Sequence, residues 1–307
     1  MTTLQVASDA AGVAQVSFDR LVDRRLVHRR ANAEVLLTDV RQLGPTLWVA
    51  GAQVPRGHRR LSVPDGRLSE VLGVEVVRQL GIAIAHLGYQ VPRDWAFTLQ
   101  SAWYTWATES SATMPHSGPL ELVATVSIDD VSWRRGVFDG MRLDLTLDGA
   151  AGQVAAAGGS MRVLAPRYFQ ALRRNAPDPL TLSLSRDLER VLDSRAEGQP
   201  VTRLGYDVAD PFFFDHEVDH LPGLLLVEAV SFLWRRHHPG QQMRALALDY
   251  LRFAEYEPAV GIERTAQCGL DRFAFIQGAH EVAHGLATSR PLQDVTLLAA
   301  LRTGPPS

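Results

Sequence analysis

The sequence predicts an α+β fold in which one unit is used twice, and three observations carry that expectation. Two long helices, each apolar on nearly every side, hold a single mid-helix carboxylate, Glu75 and Glu228, 153 positions apart in a chain of 307 residues. Each helix is followed by a run of alternating, strand-like segments. Both runs close on the same pattern of strand, Gly-Ala turn and strand, at Leu145 to Met161 and again at Ala274 to Ser289. A repeat in order, at a spacing close to half the chain, is the signature of an internal duplication.

Taken in order, residues 1–17 are small and polar and are expected to fray as a flexible N-terminus. A first unit spans 18–165. It opens with two strands, Ala33 to Asp39 and Thr46 to Val54, and then a basic, turn-rich stretch, Pro55 to Arg67. The first helix, Glu70 to Tyr89, ends at Val91-Pro92, because proline disfavours the helical conformation of the residue before it. Strands are expected at Phe97 to Thr108, Leu120 to Asp129, Val131 to Val137, Met141 to Leu147 and Gln153 to Leu164. Residues 166–199 read as a connector rich in proline and arginine, with a helical patch at Leu180 to Leu192. A second unit, 200–303, restarts with a strand at Val201 to Val208. Its helix runs from Leu224 to about His238, with Pro222 in the first turn, where a missing N–H costs nothing. Four strands follow, Met243 to Phe253, Gly261 to Leu270, Phe273 to Gln277 and Glu281 to Thr288.

Composition removes several classes of function. A net charge of −3 offers no basic field for nucleic acid. The N-terminus lacks the charged start and apolar run of a secretory signal, and no uninterrupted apolar stretch reaches membrane-spanning length, so a cytoplasmic protein with no membrane partner is expected. One cysteine, Cys268, forbids an intrachain disulfide and a cysteine-based metal site, and reads as an inert small hydrophobe. All 31 basic residues are arginine. Schiff-base chemistry on lysine and a Walker-type loop are therefore excluded, and any phosphate must be met by arginine, histidine or backbone amides. Neither a cofactor nor a metal is implied.

A long helix set among strands that wrap it as an antiparallel sheet is the hotdog arrangement. It explains why the helices are apolar all round. Single hotdogs pair through edge strands, so two copies in one chain make a tandem double hotdog with one continuous, pseudo-dimeric sheet. Three motifs in order, VHRRANAEVLLTD (Val27 to Asp39), EVVRQLG (Glu75 to Gly81) and FDHEVDHLPGLLLVEA (Phe214 to Ala229), resemble the A-factor biosynthesis proteins of actinobacteria, across roughly residues 20–300. The resemblance implies an acyltransferase of γ-butyrolactone, butenolide or furan signal biosynthesis. Its partners would be a β-ketoacyl thioester on acyl carrier protein and dihydroxyacetone phosphate, whose hydroxyl takes the acyl group. The second half is also similar to β-hydroxyacyl-carrier dehydratases, which carry a histidine before a Pro-Gly turn and an acid in the helix, as His216 and Glu228 do here.

The E-x-x-R-Q pattern stands intact in the first helix as Glu75, Arg78 and Gln79, whereas the same register of the second gives Glu228, Ser231 and Phe232. Only the second unit has a histidine in the loop before its helix. The expectation is one working site, with the His216 loop of the second unit facing the first helix. Glu75 would be the base or orient the acceptor hydroxyl, Gln79 would polarise the thioester carbonyl, and His216 would move protons. Arg78, or Arg59, Arg60 or Arg56, would hold the phosphate, and Glu228 would line the substrate side. The competing structural readings are plain. Glu75 pairs with Arg78 within its own helix; His216 and His220 bond the neighbouring Asp215 and Asp219; His28 is a turn residue; and Arg56 to Arg60 is a solvated loop. Small residues on the first helix, Gly73, Gly81 and Ala83, are expected to set the depth of an acyl tunnel. The rival functions are a dehydratase or thioesterase of the same fold and a non-catalytic acyl-binding hotdog; a homodimer is left open.

Overall fold

The computed structural model describes residues 16–58, 60, 67–107, 115, 117–176, 192–196, 199–267 and 269–290. Their strands form a single antiparallel sheet. The strands are β1 (Leu37–Gln42), β2 (Leu47–Val54), β3 (Ala96–Trp106), β4 (Leu120–Arg134), β5 (Val137–Gly149), β6 (Gly152–Leu164), β7 (Leu192–Ala196), β8 (Gln199–Arg203), β9 (Ala245–Tyr250), β10 (Gly261–Gln267), β11 (Leu270–Gln277) and β12 (His280–Thr288). Across the sheet they run β1-β2-β4-β5-β6-β3-β9-β12-β11-β10-β8-β7. Read inward from each edge, the two halves have the same order, with β7 in the place of β1 and β9 in the place of β3. The halves meet at the β3–β9 seam, where Ser101 pairs with Asp249 and Thr105 with Ala245. The expected duplication is therefore present as one continuous sheet, with the edges that a lone unit would expose paired to each other.

Helix α1 (Glu70–Gly88) follows β2, α2 (Pro166–Leu172) follows β6, and α3 (Gly223–His237) follows β8. The α1 helix begins where the Ser69 side chain accepts the Leu72 N–H at 3.3 Å. It ends where Gln90 takes a left-handed φ of 56° and the Val91 N–H turns back to the Ala85 carbonyl, ahead of Pro92. Every α1 residue except Arg78, Leu87 and Gly88 is buried. It packs on β1, β3 and β6 and touches α3. Burying a leucine or isoleucine such as Leu72, Leu80 or Ile84 contributes about 1.5–3 kcal/mol, so this contact is a principal source of stability. By length and composition α1 would pass for a membrane span; its apolar window is 83% buried inside the fold. The α3 helix is less enclosed. Phe232, which stands in the register position of Gln79, is 43% exposed.

Several element boundaries differ from the sequence reading for identifiable reasons. The first strand starts at Leu37 rather than Ala33, because residues 32–34 form a 3₁₀ turn and the Leu36 N–H is taken by the Gln79 side chain. The two segments read across Leu120 to Val137 are one strand, β4, bent by irregularities between Ile128 and Asp130 and between Ser132 and Trp133. The strand expected at Val201 to Val208 stops at Arg203, after which Leu204 bonds the Val260 carbonyl. In the stretch read as connector lie α2 and β7. The patch at Leu180 to Leu192 falls outside the described residues up to 191, as do residues 1–15, Arg59, Cys268 and 291–307. Arg173, just past α2, pins this region to the second half through Asp219 (2.8 Å) and Glu255 (2.5 and 2.7 Å).

Gly73 and Gly81 do not open a tunnel; they admit side chains from the sheet. A Cβ on Gly73 would lie 2.1 Å from the Tyr104 ring, and one on Gly81 2.1 Å from the terminal methyl of Met161. Tyr104 is fully buried and packs edge-on against Trp106 at 5.0 Å, so its ring has nowhere to go. The end of a methionine yields more readily. Gly73→Ala is therefore expected to destabilise by about 1–3 kcal/mol, and Gly81→Ala by clearly less, in denaturant titrations monitored by circular dichroism. Equal losses would show that the two contacts are equally rigid.

Candidate active site

The mid-helix carboxylate of α1 is completely buried and both of its oxygens are occupied. Arg29 reaches Oε1 through Nε at 3.0 Å and Nη2 at 2.7 Å. Arg78, one turn along the helix, donates Nε to Oε2 at 2.7 Å and Nη2 to Oε1 at 2.9 Å. Gln79 adds its Nε2 to Oε1 at 2.6 Å. Burial alone would raise the Glu75 pKa. The charges of Arg29 and Arg78, with hydrogen bonds from Arg78 and Gln79, outweigh it and hold the group at about 2. A carboxylate so held is a poor proton acceptor at neutral pH, which does not fit the base expected at this position. Gln79 is equally committed. Its Nε2 also donates to the Glu34 carbonyl at 2.8 Å and its Oε1 accepts the Leu36 N–H at 2.9 Å, which leaves no free N–H to polarise a substrate carbonyl.

Arg29 does more than neutralise Glu75. Its Nη1 donates to the Phe212 carbonyl at 2.6 Å, and its guanidinium lies 5.1 Å from the Phe212 ring. The loop of the second half is thus tied to the carboxylate of the first. Asp215 completes the tie by accepting the backbone N–H groups of Arg30 at 2.5 Å and Ala31 at 2.9 Å. His216, the next residue, lies at this junction, within electrostatic reach of Arg78, Arg29 and Arg30. Its pKa lies below the ordinary histidine value, first through burial of the ring and then through the charge of Arg78, with Asp215 opposing and Arg29 and Arg30 adding. The ring is therefore neutral at pH 7. Arg78 is the one member of the cluster with an open edge. Its side chain keeps 21% exposure, and its Nη1 has no hydrogen bond among the described residues.

Two more histidines flank the cluster. His28, with a left-handed φ of 51°, packs against His86, their Nε2 atoms 3.1 Å apart, and both rings meet the edge or face of Phe97. His86 Nδ1 lies 2.7 Å from the Val91 carbonyl, so its proton sits there and His28 donates between the rings. Burial, then the charges of His86, Arg78 and His216, lower His28 to about 3. The unusual backbone at His28 is what turns Arg29 inward behind it.

The opposite junction differs in chemistry. Arg60, expected to hold phosphate, instead pairs with Asp210 and with Glu228 at 3.0 Å, and its guanidinium stacks 4.4 Å from the Phe213 ring. Glu228 thereby finds its partner in the loop of the other half, whereas Glu75 is held by residues of its own half; among the described residues no second arginine and no amide bonds Glu228. Arg59 lies outside the described residues. His220 bonds Asp219 at 2.6 Å, as its structural reading expected. Sequence reasoning did not single out Arg29, and it read Asp215 and His28 only as structural residues. One signal pointed to the first: a buried carboxylate with two oxygens needs more than the single arginine its own helix supplies.

Several known proteins are similar to this chain. A 2-oxo-3-(phosphooxy)propyl 3-oxoalkanoate synthase of Streptomyces virginiae is 29% identical over 250 residues, covering 77% of this chain and 84% of the relative. A protein of the same name from Streptomyces coelicolor is 27% identical over 289 residues, covering 86% and 87%. Among solved structures, an acyl-ACP thioesterase from Bacteroides thetaiotaomicron superposes with a TM-score of 0.50 at 9% identity, covering 78% of this chain and 97% of the other. The 12:0-ACP thioesterase from Umbellularia californica does so with a TM-score of 0.50 at 12% identity, covering 81% and 98%; both likenesses show the fold alone. The family profile described as A-factor biosynthesis hotdog domain matches residues 11–165 and 191–234, and with the double-hotdog sheet and the junction site this places the chain in the A-factor biosynthesis hotdog family.

Proposed function

We propose that this chain transfers a β-ketoacyl group from an acyl carrier protein thioester to the hydroxyl of dihydroxyacetone phosphate. The product is the phosphorylated β-keto ester from which butenolide, γ-butyrolactone or furan signals are made. The observation that carries the reading is the junction itself, where His216 from one half feels the charge of Arg78 from the other, and Arg78 keeps part of its side chain exposed. It draws support from the two Streptomyces relatives, whose shared name describes such an ester. The substrates are those of the cytoplasm, where we place the protein.

In this reading His216 takes the proton of the acceptor hydroxyl as its oxygen forms a bond to the thioester carbon. Negative charge develops on the carbonyl oxygen, and the outward Nη1 of Arg78 is the donor placed to meet it. The C–S bond then breaks, and the proton on His216 goes to the departing thiolate. Glu75, Gln79 and Arg29 are positioning residues. They hold Arg78 in one orientation and tie the His216 loop down through Phe212, while Asp215 fixes the loop's outer end. A carboxylate clamped by two arginines preorganises charge without taking part in proton transfer.

Three outcomes are expected. Replacing His216 by Asn should lower kcat by about 10²–10⁴-fold, measured as ester formed from β-ketoacyl carrier protein and dihydroxyacetone phosphate. The acid limb of the wild-type pH–rate profile should fall below pH 6.5, because the folded protein disfavours the imidazolium. An unchanged rate in that variant, or thioester turnover with water alone and no need of the triose, would sink the transferase reading. Glu75→Gln leaves Arg29 and Arg78 without their counter-charge and should cost about 3–5 kcal/mol of stability at neutral pH. Because the folded Glu75 sits near 2 against an ordinary 4.5, its contribution is present above about 4.5 and fades as pH falls toward 2. The stability gap between wild type and variant should therefore narrow across that window in acid titrations of the unfolding midpoint. A gap that widens would mean Glu75 is not ionised in the fold.

A further inference from the structure

Several arginines of the junctions already face carboxylates: Arg29 and Arg78 meet Glu75, with the outer edge of Arg78 assigned above to the reacting carbonyl, Arg60 meets Asp210 and Glu228, and Arg173 meets Asp219 and Glu255. One cavity of about 450 Å³ lies elsewhere, lined by Leu21, Val22, Asp23, Arg24, Arg25 and Asn32. Its polar wall is tied to the site by hydrogen bonds. Arg24 Nη1 donates to the Arg30 carbonyl, and the Arg24 carbonyl accepts the Arg29 N–H at 3.0 Å. The Arg30 N–H in turn holds Asp215, the residue before His216. The cavity is thus linked to the His216 loop through two successive hydrogen bonds, Arg24 to Arg30 and Arg30 to Asp215. Its charge is favourable to an anion. The single acid, Asp23, is covered by Arg25 at 2.8 Å and by Arg93 at 3.0 Å, whereas Arg24 meets only backbone oxygen among the described residues. Arg30 is exposed beside it. Arg24 has no carboxylate partner among the described residues, and Asn32 lines the same cavity. A guanidinium and an amide in the lining of one cavity suit the oxygens of a phosphate.

We infer that this cavity binds a phosphate-bearing group at the mouth of the site, with Arg24 and Asn32 as its donors. The assignment deepens the transferase reading, in which two phosphates come to the protein, one on the triose acceptor and one on the prosthetic arm of the acyl carrier. The shared chemistry is a phosphate ester, and the two sources are separable by experiment.

The first measurement needs no turnover and so stands apart from the transferase reading. Glycerol 3-phosphate is titrated into the full-length protein by calorimetry, with glycerol as the control. Binding of the phosphate and not of glycerol is expected, weakened about tenfold or more by Arg24→Gln and retained in part by Arg24→Lys. Arg24 also holds the Arg30 carbonyl, so Asn32→Ala, which leaves that bond alone, is the second variant and should weaken binding as well. Binding unchanged in both Arg24→Gln and Asn32→Ala overturns the assignment. Binding lost in Arg24→Gln together with a lowered melting temperature, and intact in Asn32→Ala, overturns it too. The source is then read from steady-state kinetics. A raised KM for dihydroxyacetone phosphate, with kcat nearly unchanged and turnover of unphosphorylated dihydroxyacetone unaffected, assigns the cavity to the acceptor. A raised KM for the acyl carrier alone assigns it to the prosthetic arm.

Discussion

A single carboxylate, buried to the last atom inside an apolar helix, sets the terms for the rest of this molecule. Left alone it would be driven to neutrality, because desolvating a charge in protein costs several kcal/mol. It stays ionised because two guanidinium groups and one amide close around it, and those partners come from different places. Arg78 and Gln79 arrive from the same helix, and Arg29 from a segment 46 residues upstream. Arg29 then spends its remaining nitrogen on a carbonyl 183 residues downstream. The charge that the helix cannot tolerate alone is what stitches the two halves together at their working face.

That stitching explains the asymmetry between the halves. The backbone repeats faithfully, strand for strand, but the second helix has traded Arg78 for Ser231 and Gln79 for Phe232. Its carboxylate, Glu228, is consequently half-exposed and satisfied by one loop arginine. One junction holds a rigid cationic cluster beside a neutral imidazole, and the other holds a simple ion pair. Duplication supplies the architecture twice, while side-chain divergence leaves the clustered arginines at one of the two junctions.

Much of this was legible in the residues. The apolar periodicity of Glu70 to Tyr89 and of Leu224 to His238 forecast both long helices to within a residue or so, since capping by Ser69 and the break at Val91-Pro92 are local effects. The continuous sheet of two paired units followed from the repeat. The role of Glu75 was not legible. An acid in a greasy helix looks like a base from the sequence, and only the second arginine turns it into a clamped structural charge. The positions of Gly73 and Gly81 misled in the opposite sense. Small residues suggested space, yet Tyr104 and Met161 from the sheet fill it.

The sequence by itself determined the class of fold, its duplication, the placement of the helices and the kind of chemistry a lysine-free, cysteine-poor chain could perform. These are short-range or compositional properties, carried by periodicity, caps and residue inventory. Tertiary structure alone decided which arginine meets which acid, because hydrogen-bond partners separated by 46 and 183 residues leave no periodic trace along the chain. Those pairings depend on how two units dock. Their electrostatics arise only in the buried junction, where the low dielectric strengthens each charge pair.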